Sequence, residues 1–517
     1  MISMSIGALA QHLTQAQLHG PDGTIVRGLT HDSRMVKPGD LFVCLEGVNH
    51  DGHRFLSDAF HAGAAGAVVR RGALEKLGVS LPEEISWIEV EDTRRELPRI
   101  ASTLYGNPSQ SMLMVGVTGT NGKTTTTLMT AAILRAAGRR VGTIGTLGAE
   151  LDGVSLPSEH TTPEADQLQS LLAEMLQRGA DAVVMEVSSH ALAQFRTDDI
   201  AFNAGIFTNI TQDHLDFHQT MKAYFEAKAR LFTDYPVLYK RDDKKEFIAV
   251  INVGQWEGRE MVTLARGDVI TYTPETSDPA VLRPEEIELA PGSTRFQAVY
   301  DSGVKQFRIP IALPVGGAFQ VGNALAAIAA CLRLGVPPET VQKGLSEMYP
   351  VPGRFETVSS DGEGYSVIVD YAHTPDGLEN LLHSAQTLHP RRIICLFGCG
   401  GNRDKTKRPM MGRLAGTIAD IAVVTSDNPR FEDPLMIINE VLAGMDSEID
   451  PSITAEIIVE PDRRKAIFKA VALAQEGDIV LLAGKGHEDY QIIGDTQFPL
   501  DDRLIAREAI AERKALN

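Results

Sequence analysis

The run Met112-Leu-Met-Val-Gly-Val117 leads straight into Thr118-Gly-Thr-Asn-Gly-Lys-Thr-Thr125 and then into a helical stretch from Thr125 to about Ala137. An apolar strand, a glycine loop and a helix, in that order, open a doubly wound α/β domain. Such a loop turns backbone N–H groups and a helix N-terminus toward phosphates. Lys123 adds a point charge in what reads as an exposed loop, and the Thr124 hydroxyl suits Mg²⁺. The common phosphate loop has a glycine five residues before its second glycine; that position is Val117, so the loop is a shortened variant.

The α/β alternation continues. Leu168, Leu171, Leu172, Met175 and Leu176 follow the spacing of an amphipathic helix. Strands are predicted at Ala182–Val187 and Ala204–Thr208, and the stretch 236–310 reads as an inserted, β-rich sheet. Gly316–Asn323 precedes an alanine-rich helix ending near Gly335, and Tyr349–Arg354 reads as a linker. Further strands are expected at Asp40–Leu45, Ser366–Asp370, Arg392–Phe397, Ile421–Thr425 and Asp478–Leu482. The expected organisation is α/β in three domains: 1–109, 110–350 and 351–517. The central one carries a mostly parallel sheet with a P-loop-type ATP site; a smaller α/β domain precedes it and a Rossmann-like domain follows.

The chain has 517 residues, 43% apolar and 23% charged, which excludes a disordered or fibrous chain. Its 49 basic and 68 acidic residues give a net charge of −19, which disfavours nucleic acid as a partner. Four cysteines, Cys44, Cys331, Cys395 and Cys399, make no disulfide scaffold and read as buried thiols in a reducing compartment. No apolar run approaches the ~18 residues of a membrane span, so a cytoplasmic protein is expected, and a monomer is the expected state.

Several motifs extend the pattern. They are His160-Thr-Thr-Pro163, Glu186-Val-Ser-Ser-His190, Asn209-Ile-Thr-Gln-Asp-His-Leu-Asp216 and Asp370-Tyr-Ala-His-Thr-Pro375. Gly400-Gly-Asn-Arg-Asp404, Asp427-Asn-Pro-Arg430 and Gly484-Lys-Gly-His-Glu488 follow. With the phosphate loop they span the chain, and together they resemble the Mur ligase family of ATP-dependent amide-forming enzymes. Gln320 departs from the pattern, since the family usually has Asn ahead of Asn323.

The resemblance implies a ligase that adds meso-diaminopimelate to UDP-N-acetylmuramoyl-L-alanyl-D-glutamate through an acyl phosphate. That step serves peptidoglycan precursor synthesis, and with it cell-wall biogenesis, cell shape and division. It implies ATP bound by Gly119, Thr120, Asn121, Gly122, Lys123, Thr124 and Thr125, and by Asn323, Arg354, Asp370 and His373. It implies the UDP end held by His31, Ser33, Val48, Asn49 and His50, and the muramoyl-dipeptide by His160, Thr161, Thr162, Ser188, Gln194 and Arg196. It also implies closure of the third domain over the second.

Chemistry supports several of these roles independently. Two anions meet when a carboxylate attacks ATP, which demands cations: Lys123 and Mg²⁺. Glu186 ends an apolar strand at the edge that faces the ligand crevice and is a candidate Mg²⁺ ligand, while His214 owes that role to the resemblance. Lys228 falls on the helical stripe of Met221, Tyr224, Phe225, Leu231 and Phe232, so its pKa should fall. A neutral amine can take up CO₂, and the resemblance implies a carbamate (N6-carboxylysine) there that orients Mg²⁺.

Selecting diaminopimelate over lysine needs a cation for the distal carboxylate. Arg430, held by Pro429 and beside Asn428, supplies a bidentate one, and Arg403 a second. Asp427 and Glu488 accept from the distal ammonium, and Gly484 lets backbone approach. A folylpolyglutamate synthetase needs neither a UDP domain nor Asp427–Arg430. A P-loop switch is disfavoured by the displaced glycine and the lack of an Asn-Lys-x-Asp motif.

Overall fold

The computed structural model describes residues 3–47, 50–158, 160–241, 246–359 and 362–516. The chain divides into two compact units: Met1–Thr271 with Ala329–Val336, and Tyr272–Ile328 with Pro337–Asn517.

Besides the short pair Met4–Ser5 with Ile25–Val26, two larger sheets have strands in the first unit. The smaller runs in the order Gln17–His19, Ser86–Val90, Gly66–Arg70, Asp40–Val43 and Gly28–Thr30. Its last four strands are parallel, and Leu41, Val43, Val68 and Ile88 pack on the helices Ile6–Ala10 and Thr93–Leu104. The strand at Asp40 stops two residues short of Leu45, though Cys44 and Leu45 remain buried.

In the larger sheet, Leu113–Thr118 lies between Ala182–Glu186 and Ala204–Phe207, parallel to both. Val141–Gly145 flanks the first of these neighbours and Ile248–Asn252 the second, again in parallel. The chain thus leaves the Leu113 strand toward one side of the sheet and later returns on the other. That reversal makes a switch point, where the crevice beyond the carboxyl ends of the strands binds ligands. Thr118, Glu186 and Phe207 all end their strands at that edge.

The stretch 236–310 is only partly the inserted sheet expected. Ile248–Asn252, Trp256–Leu264 and Asp268–Tyr272 carry on the strand–helix–strand alternation, because Ile248–Asn252 is buried at every position, as a central parallel strand must be. Only the segment from Leu282 to Leu313, in the second unit, is an antiparallel meander of three strands.

The second unit also holds a sheet in the order Glu356–Thr357, Ser366–Asp370, Ile479–Ala483, Ile393–Phe397, Ile421–Val424 and Glu456–Val459. All its neighbours are parallel except the first pair. Alternating residues face two cores. Ile393, Cys395 and Phe397 join Leu378, Met411 and Ile437, whereas Ile394 and Leu396 join Ile467, Ala470 and Ala506. Helices therefore cover both faces, the doubly wound arrangement. Arg463 and Asp502, each fully buried, pair at 2.6 Å between the helices Arg463–Leu473 and Asp502–Leu516.

Candidate active site

The helix after the glycine loop begins at Lys123, two residues earlier than expected, because Gly122 turns the backbone at φ 82 and the helix starts at once. Gly119 has φ 151, and a Cβ there would strike the Thr208 hydroxyl, so only glycine fits. The next strand's end holds the loop. Asn209 Oδ1 accepts from the Asn121 N–H at 2.8 Å, Thr208 Oγ1 donates to the Asn121 carbonyl at 2.6 Å, and Thr120 Oγ1 lies 3.0 Å from the Tyr224 hydroxyl. The chain's own side chains thus fix the loop's shape.

Lys123 is not in an exposed loop, contrary to the sequence reading. It is the first helical residue and half-buried, and its Nζ donates to the carbonyls of Gly119 at 3.0 Å and Thr120 at 2.8 Å. Thr124 and Thr125 are buried on the same turn.

Glu186 is 1% exposed, which rules out a solvated strand end. Its carboxylate accepts from the Thr146 N–H at 2.8 Å and the Thr146 hydroxyl at 3.1 Å. Lys228 is also 1% exposed; its Nζ donates to the Gly119 carbonyl at 2.7 Å and lies 4.4 Å from the centre of the Tyr224 ring. Burial, aided by the nearby charge of Lys123, holds its pKa well below the usual lysine range.

His214 caps the helix Leu215–His218 in the left-handed region, at φ 54. Burial, with the charges of Lys123 and Lys228 and against the opposing Asp213, lowers its pKa. The His190 ring lies 4.7 Å from it, and burial together with His214 and His218 pushes the His190 pKa down to about 4. Glu186 and Thr124 are buried oxygen donors and His214 an imidazole donor, side-chain types that can serve as ligands to a divalent cation.

Among the described residues, one trio of potential ligand atoms comes within 4.8 Å, at Glu46, Asp51 and His53, away from this loop. It is not a free cation site, because both His53 nitrogens are engaged, Nδ1 with Asp51 at 2.6 Å and Nε2 by the Arg70 N–H at 2.9 Å.

Beside Glu186, Thr162 Oγ1 donates to the Glu186 carbonyl at 2.9 Å and accepts from the Ser188 N–H at 3.1 Å. Thr161 Oγ1 lies 3.3 Å from that of Thr146, and His160 is exposed. Arg196 is already engaged by Glu164 at 2.9 Å, by Gln194 Oε1 at 2.6 Å and by the Thr162 carbonyl at 3.1 Å. Sequence reasoning missed Glu164.

It also missed Asp166, which accepts from the His31 N–H at 3.1 Å and meets His31 Nδ1 at 2.8 Å. Burial opposes charge on His31, but Asp166 outweighs it and the pKa is raised. Ser33 lies in the 3₁₀ turn capped by Asp32, and the His50 carbonyl accepts from the Gly47 N–H at 2.8 Å. Val48 and Asn49 lie outside the described residues.

The second unit brings Asp427, Asn428, Pro429, Arg430, Gly484 and Glu488 together. Asn428 Nδ2 donates to Glu488 Oε2 at 3.0 Å. Gly484 has φ 113, and a Cβ there would sit 2.7 Å from Asp427 Oδ2, so glycine is required. Arg430 Nη1 donates to the Gly401 carbonyl at 3.0 Å and would lie 3.1 Å from a Cβ on Gly400; Arg403 Cγ would lie 3.8 Å from the same point. Two arginines therefore flank one glycine.

The unforeseen member is Lys485, whose side chain is fully buried and whose Nζ donates to Asn428 Oδ1 at 2.9 Å. A lysine just past an apolar strand was the available signal. In the same unit Asp370 accepts from the N–H groups of Phe355 at 2.7 Å and Ala372 at 2.8 Å. The Arg354 guanidinium stacks 4.7 Å from the Tyr371 ring, and His373 Nδ1 contacts the Tyr371 carbonyl at 2.8 Å. Gln320, the departure from the family pattern, is buried, and its Oε1 accepts from Asn323 Nδ2 at 3.0 Å.

A doubly wound sheet with a shortened phosphate loop at its switch point, in a chain that also holds a second α/β sheet, is the arrangement of a nucleotide-using enzyme. Family models agree: residues 25–104 match "Mur ligase family, catalytic domain", 117–331 "Mur ligase middle domain" and 353–486 "Mur ligase, glutamate ligase domain". The chain belongs to the Mur ligase family. It is 42% identical over 488 residues to the UDP-N-acetylmuramoyl-L-alanyl-D-glutamate–2,6-diaminopimelate ligase of Clostridium botulinum, covering 94% of this chain and 95% of that one. It is 44% identical over 490 residues to the protein of the same name from Gloeobacter violaceus, covering 95% of each.

A solved structure of a ligase with that name superposes with a TM-score of 0.67 at 29% identity, over 99% of this chain and 100% of the other. MurF from Thermotoga maritima in complex with ADP shares the fold, with a TM-score of 0.60 at 20% identity over 94% and 97% of the two chains. Among the described residues no helix is long and apolar enough to cross a membrane.

Proposed function

We propose that the chain is a cytoplasmic, monomeric ligase that adds meso-diaminopimelate to UDP-N-acetylmuramoyl-L-alanyl-D-glutamate with cleavage of ATP to ADP and phosphate. The observation that carries this reading is the pairing of a preformed phosphate loop in one unit with a pocket of two arginines and two carboxylates in the other. The first suits a nucleotide, and the second suits the distal end of an amino acid that bears both an ammonium and a carboxylate.

The D-glutamyl γ-carboxylate attacks the γ-phosphorus of ATP, forming an acyl phosphate and releasing ADP. The amine of diaminopimelate then attacks the acyl carbon, loses a proton and expels phosphate, leaving the amide. Lys123, freed from its loop carbonyls, neutralises charge on the transferring phosphoryl group. Thr124, Glu186 and His214 would hold Mg²⁺, which would supply charge neutralisation between the two anions.

Lys228, buried with its amine against the Gly119 carbonyl, takes up CO₂ as a carbamate with release of a proton, and the carbamate oxygens would be available to a bound cation. His31, Ser33, Val48, Asn49 and His50 hold the UDP end; His160, Thr161, Thr162, Ser188, Gln194 and Arg196 hold the muramoyl-dipeptide. ATP roles for Asn323, Arg354, Asp370 and His373 rest on family resemblance. The domain scheme 1–109, 110–350 and 351–517 assigns UDP, ATP and amino acid in turn.

The direct test is mass spectrometry of a reaction with ATP, Mg²⁺, the UDP-dipeptide and meso-diaminopimelate. The expected product is the UDP-tripeptide, formed only with all components; its absence overturns the reading.

A further inference from the structure

We propose that Lys485 is a positioning residue for the amino-acid pocket, fixing Asn428 and Glu488 in the orientation that receives the substrate's distal ammonium. The inference rests on the assignment of that pocket to diaminopimelate. Lys485 cannot itself touch a ligand, because its side chain is 0% exposed. Its ammonium has three protons and three close acceptors: Asn428 Oδ1 at 2.9 Å, the Tyr490 carbonyl at 2.6 Å and Glu488 Oε2 at 3.4 Å. Asp427 Oδ1 lies 3.9 Å away.

One buried cation therefore sits between two carboxylates that would otherwise repel. It also settles which way the Asn428 amide faces. Asn428 Oδ1 accepts from both Lys485 and the Ile492 N–H, the latter at 2.9 Å, so Nδ2 must turn to Glu488 Oε2 at 3.0 Å. Glu488 Oε2 accepts from Asn428 Nδ2 and from Lys485 Nζ, which leaves Oε1 for the incoming ammonium. Without Lys485 the two carboxylates lose the cation between them, and the amide loses a reason to face one way.

The test is steady-state kinetics of Lys485→Met, Lys485→Gln and Lys485→Arg, with Glu488→Gln as the control for the pocket itself. Lys485→Met and Lys485→Gln should raise KM for diaminopimelate by ~10-fold or more, the scale of a buried group losing its charged partner. KM for ATP and for the UDP-dipeptide should stay within about 2-fold, since no pocket for either includes this network. Lys485→Arg should recover part of the loss.

If Lys485→Met does not fold, Lys485→Gln, which keeps a donor, decides. A folded variant with unchanged diaminopimelate KM, or with equal losses for all three substrates, overturns the proposal. If Glu488→Gln also leaves diaminopimelate KM unchanged, the pocket assignment itself falls; if only the Lys485 variants do so, the positioning role alone falls.

Discussion

Lys228 Nζ donates to the Gly119 carbonyl at 2.7 Å, tying a buried lysine of the helix Met221–Thr233 to the first glycine of the phosphate loop, 109 residues away in sequence. The amine is buried among groups that lower its proton affinity and stands against the loop that is to hold phosphate. A change at Lys228 therefore reaches the chemistry without touching the surface. Lys228→Ala should lower ligation by ~100-fold or more while the fold persists. Short carboxylates should restore part of the activity, and CO₂-depleted buffer should slow the parent chain. A fully active Lys228→Ala chain would refute the role.

Lys123 holds two loop carbonyls, and both bonds are replaceable by water. Lys123→Ala should keep a native circular dichroism spectrum and cut kcat by ~10²–10³. Near-normal ligation by a folded variant would show that the loop is misassigned.

Arg430 lies in the left-handed region at φ 51 and sets its guanidinium beside Gly400. Loss of one charge-assisted pair to a desolvated carboxylate costs ~2–5 kcal/mol, so Arg430→Ala should weaken diaminopimelate use by a factor of ~30 or more. Lysine, which lacks that carboxylate, should suffer far less. Kinetics with both amino acids check this, and equal losses would contradict it.

Burial pushes His190 and His487 down to about 4 from the ordinary 6.5, helped by His214 and His218 for the first and by Arg354 and Arg503 for the second. Between those values the unfolded chain binds more protons than the folded one. Their contribution is therefore complete above pH 6.5 and is lost as pH falls toward about 4. Denaturant melts across that window should show a falling midpoint, with a shallower fall in His190→Gln/His487→Gln.

The Arg463–Asp502 pair is fully buried, so removing one partner strands a charge. Asp502→Ala should destabilise the chain by ~3–5 kcal/mol. A melt within ~0.5 kcal/mol of the parent would show that Arg463 finds another partner.

Local patterns in the sequence carried the elements well where burial dictates them. Ser366–Asp370 and Ala204–Phe207 read as apolar runs and form strands, the second of them parallel to both its neighbours. The stripe through Tyr224 and Phe232 correctly put Lys228 inside. What local pattern could not supply was partnership over distance. His31 meets Asp166 across 135 residues and Lys485 meets Asn428 across 57, and nothing near either residue in sequence announces the other. Lys123 was misplaced for a related reason: its backbone conformation depends on the left-handed turn at Gly122, and its side chain on the loop's own carbonyls. In the segment 236–310 a β-rich composition concealed the helix Trp256–Leu264, whose few buried residues, Gly258 and Met261, give a weak apolar stripe.

The central claim is that ATP cleavage here is coupled to amide formation between two particular substrates. ADP release should therefore be measured with the UDP-dipeptide and meso-diaminopimelate present together, singly and not at all. The account predicts sustained turnover only with both, with one amide formed per ADP. Turnover at the same rate without either substrate would contradict it.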